Sequence, residues 1–432
     1  MVIFRSALDA VMPSHLLPMY ISCTGKELSL GDRKYLLDSV GSVYLLCLGK
    51  AAASMAKTAE VLLGSNLAGG LVITKYGHAC PLQICATMEA GHPEPDEAGV
   101  RAAEEIEKFL GQLSPQDILL VLISGGASAL VADLPEDISL EDLQALTRLL
   151  LHHGASIDEI NTVRKHVASL KGGQLVLKAR GAELVCFILS DVPGNRLEVI
   201  ASGPTVPDPT TFMDAWNVLN WYGLTDMVPV AVKKRLERGI QGLIEETPKP
   251  GDPAFRRTHA EIIGSNQTAL EAAQKTATSL GYRVTITDSD LQGEASAAGR
   301  LFAEKLFSAG GDLPVCFLAG GETTVLVKGK GKGGRNQEFV LAALKRWAEE
   351  EIGNSRDAVL LSAGTDGTDG PTDAAGAMIH SSDMNKWREK KEEIRTSLEN
   401  NDSFHFFEKH GGLIHTGPSF TNVMDLVIGL VS

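Results

Sequence analysis

The run Asp117-Ile118-Leu119-Leu120-Val121-Leu122-Ile123, closed by Ser124-Gly125-Gly126-Ala127-Ser128-Ala129-Leu130, constrains this chain more than any other stretch. Continuous apolar residues without alternation read as a strand buried on both faces, the mark of a parallel sheet covered by helices. The Ser-Gly-Gly turn then places backbone donors and two hydroxyls at the strand's C-terminal end, the edge at which open α/β sheets bind ligands. Close packing of helix on strand would use the same glycines. The turn is not a Walker A loop, because G-x-x-x-x-G-K-[ST] is absent.

The same grammar recurs along the chain. Val43–Leu48 is followed by Gly49-Lys50 and the breaker-free stretch Ala51–Leu63, which places Lys50 between a strand end and a helix start. Gly70–Thr74 leads to His78, and His92 lies in a further loop. Leu184–Leu189 ends in Ser190-Asp191, a standard place for a base, a metal ligand or a turn-forming aspartate. Helices are expected over 3–20, broken near Pro13, and over 95–112, 139–152 and 156–179. The last carries Asn161, Arg164, Lys165, His166, Ser169 and Lys171; Arg164, Lys165, Ser169 and Lys171 do not fall on a single face, so part of that set is expected at the surface. Prolines and a polar run near 245–255 mark a boundary between domains 1–250 and 251–432, with strand 260–263 opening the second.

In the second half, Val315–Ala319 ends in Gly320-Gly321-Glu322, and a second extended run follows over 323–327. A loop then alternates Lys328, Lys330, Lys332 and Arg335 with four glycines before Asn336 opens a helix expected to reach 351. Glycine lets backbone N–H groups approach an anion, and a helix N-terminus adds partial positive charge, so this stretch reads as a polyphosphate-handling element. Strand 358–362 leads into a loop from Gly364-Thr365 to Gly376, where Asp366 and Asp369 are interleaved with glycines. That loop is a hard-cation candidate but not an EF-hand, since the spacing and the closing Glu are missing.

Composition narrows the partners. A net charge of −14 argues against nucleic acid or an anionic membrane and leaves a small, local anionic ligand for the basic loop. No 18-residue apolar run is present, so no transmembrane helix is expected. The six cysteines lack CxxC spacing, and with no leader-like N-terminus a reduced, cytoplasmic protein is expected.

Taken together, Leu48–Ala51, Leu122–Leu130, Ile188–Val192, Ile200–Thr205, Ala319–Glu322, Gly333–Glu338, Gly364–Gly376 and Thr421–Val423 resemble the class II glycerate 2-kinases. The resemblance implies a Rossmann-like, three-layer α/β domain followed by a second α/β domain, called MOFRL, with the active site in a cleft between them. It also implies ATP- and Mg²⁺-dependent phosphorylation of D-glycerate at the 2-hydroxyl, with Lys50 and Arg335 matching the family's active-site cations. Three departures stand out: Ala127 replaces a third glycine, Asn195 a frequent Asp, and Phe420 a small residue. On this basis Ser124, Gly125, Gly126, Ser128, Gly320, Gly321, Gly334, Asn336, Gly364 and Thr365 are assigned to the nucleotide. The Ser124–Ser128 loop is expected to supply backbone and hydroxyl donors. Glu322, Asp366 and Asp369 are assigned to Mg²⁺, and Asp191 to orienting or deprotonating the hydroxyl. Oligomeric state is left open. Two other readings compete: an NAD(P)H-dependent hydroxypyruvate reductase, and a non-catalytic sensor of nucleotides or sugar acids. The reductase lacks its fingerprint, since no G-x-G-x-x-G follows a strand.

Overall fold

The computed structural model describes residues 1–309, 314–349 and 357–432. The chain divides into two compact units, one of residues 13–263 and one of residues 1–12 together with 264–432.

Unit 13–263 is built on a six-stranded sheet. Its strands lie in the order Cys85–Ala90, Leu67–Lys75, Val43–Leu48, Ile118–Ile123, Glu183–Leu189, Thr258–Gly264. In chain order this is 3-2-1-4-5-6, the doubly wound arrangement, and the first five strands pair in parallel. Alternate residues serve opposite faces. Leu46, Leu48, Leu119, Val121, Ile123, Cys186 and Ile188 pack into a core with Ala102, Ile106 and Leu110 of helix Glu97–Leu110. Leu45, Cys47, Leu120 and Leu122 are as deeply buried on the other side, where helix Ala52–Leu63 packs on the first strands. The expected three layers are therefore present. A separate, wholly helical core gathers Leu146, Leu150, Val163, Phe212, Leu219, Val232 and Leu236.

Several expectations shift. Strand Thr258–Gly264 completes this first sheet rather than opening the second domain. The single helix expected over 156–179 is two, Ile157–His166 and Gln174–Lys178, with Gly172 and Gly173 both at positive φ between them. Lys165 and Lys171, expected in part at the surface, are each 4% exposed, because Asp208 and Asp133 pair with them inside. The three-stranded meander Ile21–Thr24, Glu27–Leu30, Arg33–Leu36 is too short and mixed in pattern to be read from the sequence.

The other unit carries a mixed six-stranded sheet in the order Arg283–Leu291, Val315–Gly321, Asp425–Val431, Ala358–Gly364, Gly376–His380, Leu413–Ile414. The final strand lies antiparallel between two others, and its register sets Asp425 opposite both Gly321 and Gly364. Residues 323–327 form no second strand; only Thr324 bridges to Glu294. Helix Arg335–Glu349 starts one residue earlier than expected, and the 350–351 end of the expectation lies outside the described residues. The first helix, Val2–Ala10, packs on helix Asn266–Ser279 of this unit, and Val11 accepts a hydrogen bond from Thr421 Oγ1 at 2.7 Å. Among the described residues no helix is long and apolar enough to cross a membrane, and all six cysteines are free thiols.

Candidate active site

In the first unit the functional residues gather where strand order reverses, between Val43–Leu48 and Ile118–Ile123. That reversal opens a crevice at the strand C-termini. Leu48 pairs with Ile123 and Ile123 with Ile188, so Lys50, the Ser124–Ser128 turn and Asp191 leave the sheet along one edge. Gly49 sits at φ +122°, and a Cβ there would collide with the backbone and hydroxyl of Ser124. Lys50 N–H donates to Gly125 O at 2.9 Å, and Ala51 N–H donates to Ser124 Oγ at 3.0 Å. Ser124 is fully buried, so its hydroxyl ties the helix start to the turn instead of facing a nucleotide. Gly126, at φ +86°, has the His92 ring and the Lys50 stem packed where a side chain would be. Lys50, Gly126, Ser128 and Asp191 are only partly buried, and they form the accessible part of this edge.

In the second unit everything centres on Arg335. Its Nε and Nη2 donate to Asp425 Oδ2 and Oδ1 at 2.6 and 3.0 Å, and its Nη1 lies 2.6 Å from Glu322 Oε1. Three of the five guanidinium N–H groups are thereby engaged, which leaves two for a ligand. Burial pulls the pKa of Arg335 down, but Asp425, Glu322 and Asp369 outweigh it and the net shift is upward, so the charge is permanent. Asp369 sits behind it and is 2% exposed. It accepts the backbone N–H groups of Asn336 and Gln337 at 3.0 and 2.8 Å and so caps the helix that carries Arg335. Gly334 is needed there because a Cβ would strike the Asp369 carboxylate. Burial pushes the Asp369 carboxyl up to about 6, against the pull of those two backbone donors.

Other assigned residues turn out to build this centre from behind. Asn336 accepts from Ser362 Oγ at 2.6 Å and is buried. Thr365 is fully buried, donating to Met424 O at 2.7 Å and accepting from Val423 N–H at 2.8 Å. Gly364 and Gly321 flank Asp425 in the sheet. Gly320 leaves room for the side chain of Asn266, whose Nδ2 donates to Val423 O and Asp425 O at 2.9 and 2.8 Å.

The amides of residues 328–332 in the basic glycine loop are not presented to an anion. Lys328 and Gly329 N–H groups donate to Asn401 Oδ1, Lys330 to Asn400 Oδ1, Gly331 to Asn400 O and Lys332 to Asp402 Oδ1. Cβ atoms at Gly329 and Gly331 would collide with Asn400 and Asp402, so these glycines serve close packing on that turn.

The residues assigned to Mg²⁺ do not form a cage. Asp369 spends both oxygens on the helix start, Glu322 pairs with Arg335, and Asp366 Oδ1 accepts from Thr368 N–H and Oγ1, each at 3.0 Å. Among the described residues no three His, Cys, Asp or Glu side chains are grouped to hold a metal. These carboxylates as arranged do not fit a preformed metal site.

Asp425, which orients Arg335, carried no role in the sequence reading. Its signal was a carboxylate opening an otherwise apolar strand; such a charge inside a sheet requires a cation.

Comparison with known proteins bears on both halves. Residues 1–237 match a domain of unknown function, DUF4147, and residues 315–425 match the MOFRL family. A glycerate 2-kinase of Pyrococcus horikoshii is 43% identical, covering 91% of this chain and 88% of the relative. A D-glycerate 2-kinase of Thermotoga maritima is 42% identical, covering 90% of each. The chain belongs to the class II glycerate 2-kinase family. The crystal structure of a Thermotoga maritima glycerate kinase superposes with a TM-score of 0.84 at 38% identity, covering 100% of this chain and 98% of that one. An Agrobacterium vitis protein provisionally named hydroxypyruvate reductase is 38% identical over 88% of this chain and 84% of its own. Membership of the kinase family matches the two α/β units; Lys50 lies between strand Val43–Leu48 and helix Ala52–Leu63, and Arg335 opens helix Arg335–Glu349.

Proposed function

We infer that the chain is an ATP-dependent glycerate 2-kinase, which transfers the γ-phosphoryl group of ATP to the 2-hydroxyl of D-glycerate and releases ADP. The observation that carries this reading is 42–43% identity to glycerate 2-kinases over nine-tenths of the chain. Phosphoryl transfer asks little covalent help of a protein. It asks for in-line positioning and for positive charge where the equatorial oxygens accumulate negative charge.

In this reading the 2-hydroxyl oxygen of glycerate attacks the γ-phosphorus. The bond to the β–γ bridging oxygen breaks, and the hydroxyl proton passes to Asp191. Lys50 acts as a point charge on the transferring group. Arg335 uses its two uncommitted N–H groups on phosphate or carboxylate, with Asp425 and Glu322 holding the guanidinium plane. A Mg²⁺ requirement would come with the nucleotide, since this ion is commonly held by substrate phosphates and few protein carboxylates.

Lys50→Ala and Arg335→Ala test the assignment in an assay of ATP-dependent phosphoglycerate formation. Each should lower kcat by roughly 10²–10³-fold, the cost of losing a transition-state donor. Near-wild-type kcat in either variant would remove that residue from the mechanism. Steady NADH loss with hydroxypyruvate would favour the reductase reading instead.

A further inference from the structure

Ser128 ends a chain of hydrogen bonds whose direction is set from inside the protein. Asn161, 4% exposed, accepts at Oδ1 from Ser202 Oγ at 2.9 Å, and Ser202, fully buried, lies 2.9 Å from Ser128 Oγ. An amide oxygen has no proton to give, so Ser202 must spend its single hydroxyl proton on Asn161. The Ser128–Ser202 contact can then be made only by Ser128 donating. Ser128 is left with lone pairs alone on its accessible side.

The backbone shows that this placement is built. Ala201, Ser202 and Gly203 are consecutively left-handed, at φ +53°, +58° and +62°. Two non-glycine residues in that region store strain, which persists only where the surroundings enforce it. Here the Gly172 and Gly173 N–H groups donate to the carbonyls of Ser202 and Gly203 at 2.9 and 2.8 Å and hold the turn.

We propose that Ser128 recognises the non-reacting 3-hydroxyl of the acceptor by taking a hydrogen bond from it, with Ser202 and Asn161 as positioning residues that fix this polarity. The proposal rests on the kinase reading above and revises the expectation that Ser128 donates to phosphate. An oxygen offering only lone pairs repels carboxylate and phosphate and attracts a hydroxyl. Glycerate has two hydroxyls, and the 2-hydroxyl must give up its proton to a base. A neutral serine oxygen is a poor base beside a carboxylate such as Asp191, so it suits the hydroxyl that keeps its proton. A site built to bond a hydroxyl discriminates strongly against an analogue lacking it, because the buried polar group is left unmatched.

D-lactate is D-glycerate without the 3-hydroxyl, so the ratio of kcat/KM for the two at saturating ATP reads this contact. ADP release follows the reaction; if D-lactate turns over too slowly, its inhibition constant against D-glycerate serves. The wild type should favour D-glycerate, and Ser128→Ala should contract the ratio about 10- to 100-fold, chiefly by losing D-glycerate. Ser128→Thr, which keeps the hydroxyl, should restore part of it. Ser202→Gly removes the buried hydroxyl and relieves the backbone strain together, and it should contract the ratio by a smaller factor. An unchanged ratio in Ser128→Ala overturns the proposal, even if both substrates slow equally, since that pattern would place Ser128 on Lys50 or the nucleotide. A wild type that transfers no phosphoryl group from ATP to D-glycerate would sink the kinase reading itself, a separate and recognisable failure.

Discussion

At the scale of single residues, the candidate site depends on which charges are held and by what. Lys50 and Arg335 stood out in the sequence through the motifs around them, because a cation beside a turn is by itself ordinary, and their part in the reaction is what the two alanine variants test. Asp425 was not legible, because its importance comes from register: only the sheet reveals that it lies opposite both Gly321 and Gly364. Asp369 shows the converse. It looked like a metal ligand from its glycine-rich surroundings, whereas its carboxylate caps the helix of Arg335. Its folded-state pKa of about 6 lies above the ordinary 3.8, so the folded chain binds that proton more tightly than the unfolded one. Stability from this source is present in full below the unfolded value and is lost as pH rises through about 6. Asp369→Asn removes the titrating group and should flatten the decline of Tm between about pH 4 and 6; separately, its NH2 cannot accept from the second of the two helix-start N–H groups, and that loss should lower Tm. An unaltered Tm–pH curve would contradict the assigned role.

At the scale of elements, continuous apolar runs made the strands at 43–48, 118–123, 184–189 and 358–362 readable, with ends within one or two residues of those observed. The short meander at 21–36 escaped because exposed edges carry no such pattern. The basic glycine loop was misread for a related reason. Glycine spacing tells that backbone comes close to something, but not whether that is a phosphate or another turn. Here it is Asn400-Asn401-Asp402, to which five successive backbone amides are bonded. Lys332 Nζ lies over the Phe404 ring at 4.4 Å, and toward a ligand the Lys328, Lys330 and Lys332 side chains offer long-range attraction. Replacing all three by Ala should leave kcat within about threefold while raising KM for ATP at low salt, an effect that fades as ionic strength shortens the Debye length. A large fall in kcat that salt does not change would return those lysines to the active site.

At the scale of the whole molecule, the chain leaves one unit after residue 12, builds another through residue 263, and then returns. No composition change marks residue 12, which is why the sequence suggested a single crossing near 250. Ile3, Phe4, Ala7 and Val11 are buried in the unit completed by residues 264–432, and a large apolar side chain contributes roughly 1.5–3 kcal/mol when fully buried. Deleting residues 1–12 should destabilise that unit by several kcal/mol, seen as an earlier unfolding transition and faster amide exchange in helix Asn266–Ser279. Unchanged exchange in that helix would show the N-terminal segment to be dispensable.

As a glycerate 2-kinase, the protein transfers the phosphoryl group to one particular oxygen of its acceptor. The most direct test of this is ³¹P NMR of the products formed from ATP and D-glycerate by the purified wild-type protein. 2-Phosphoglycerate should appear in step with ADP. Formation of 3-phosphoglycerate, or ADP with inorganic phosphate alone, would contradict it.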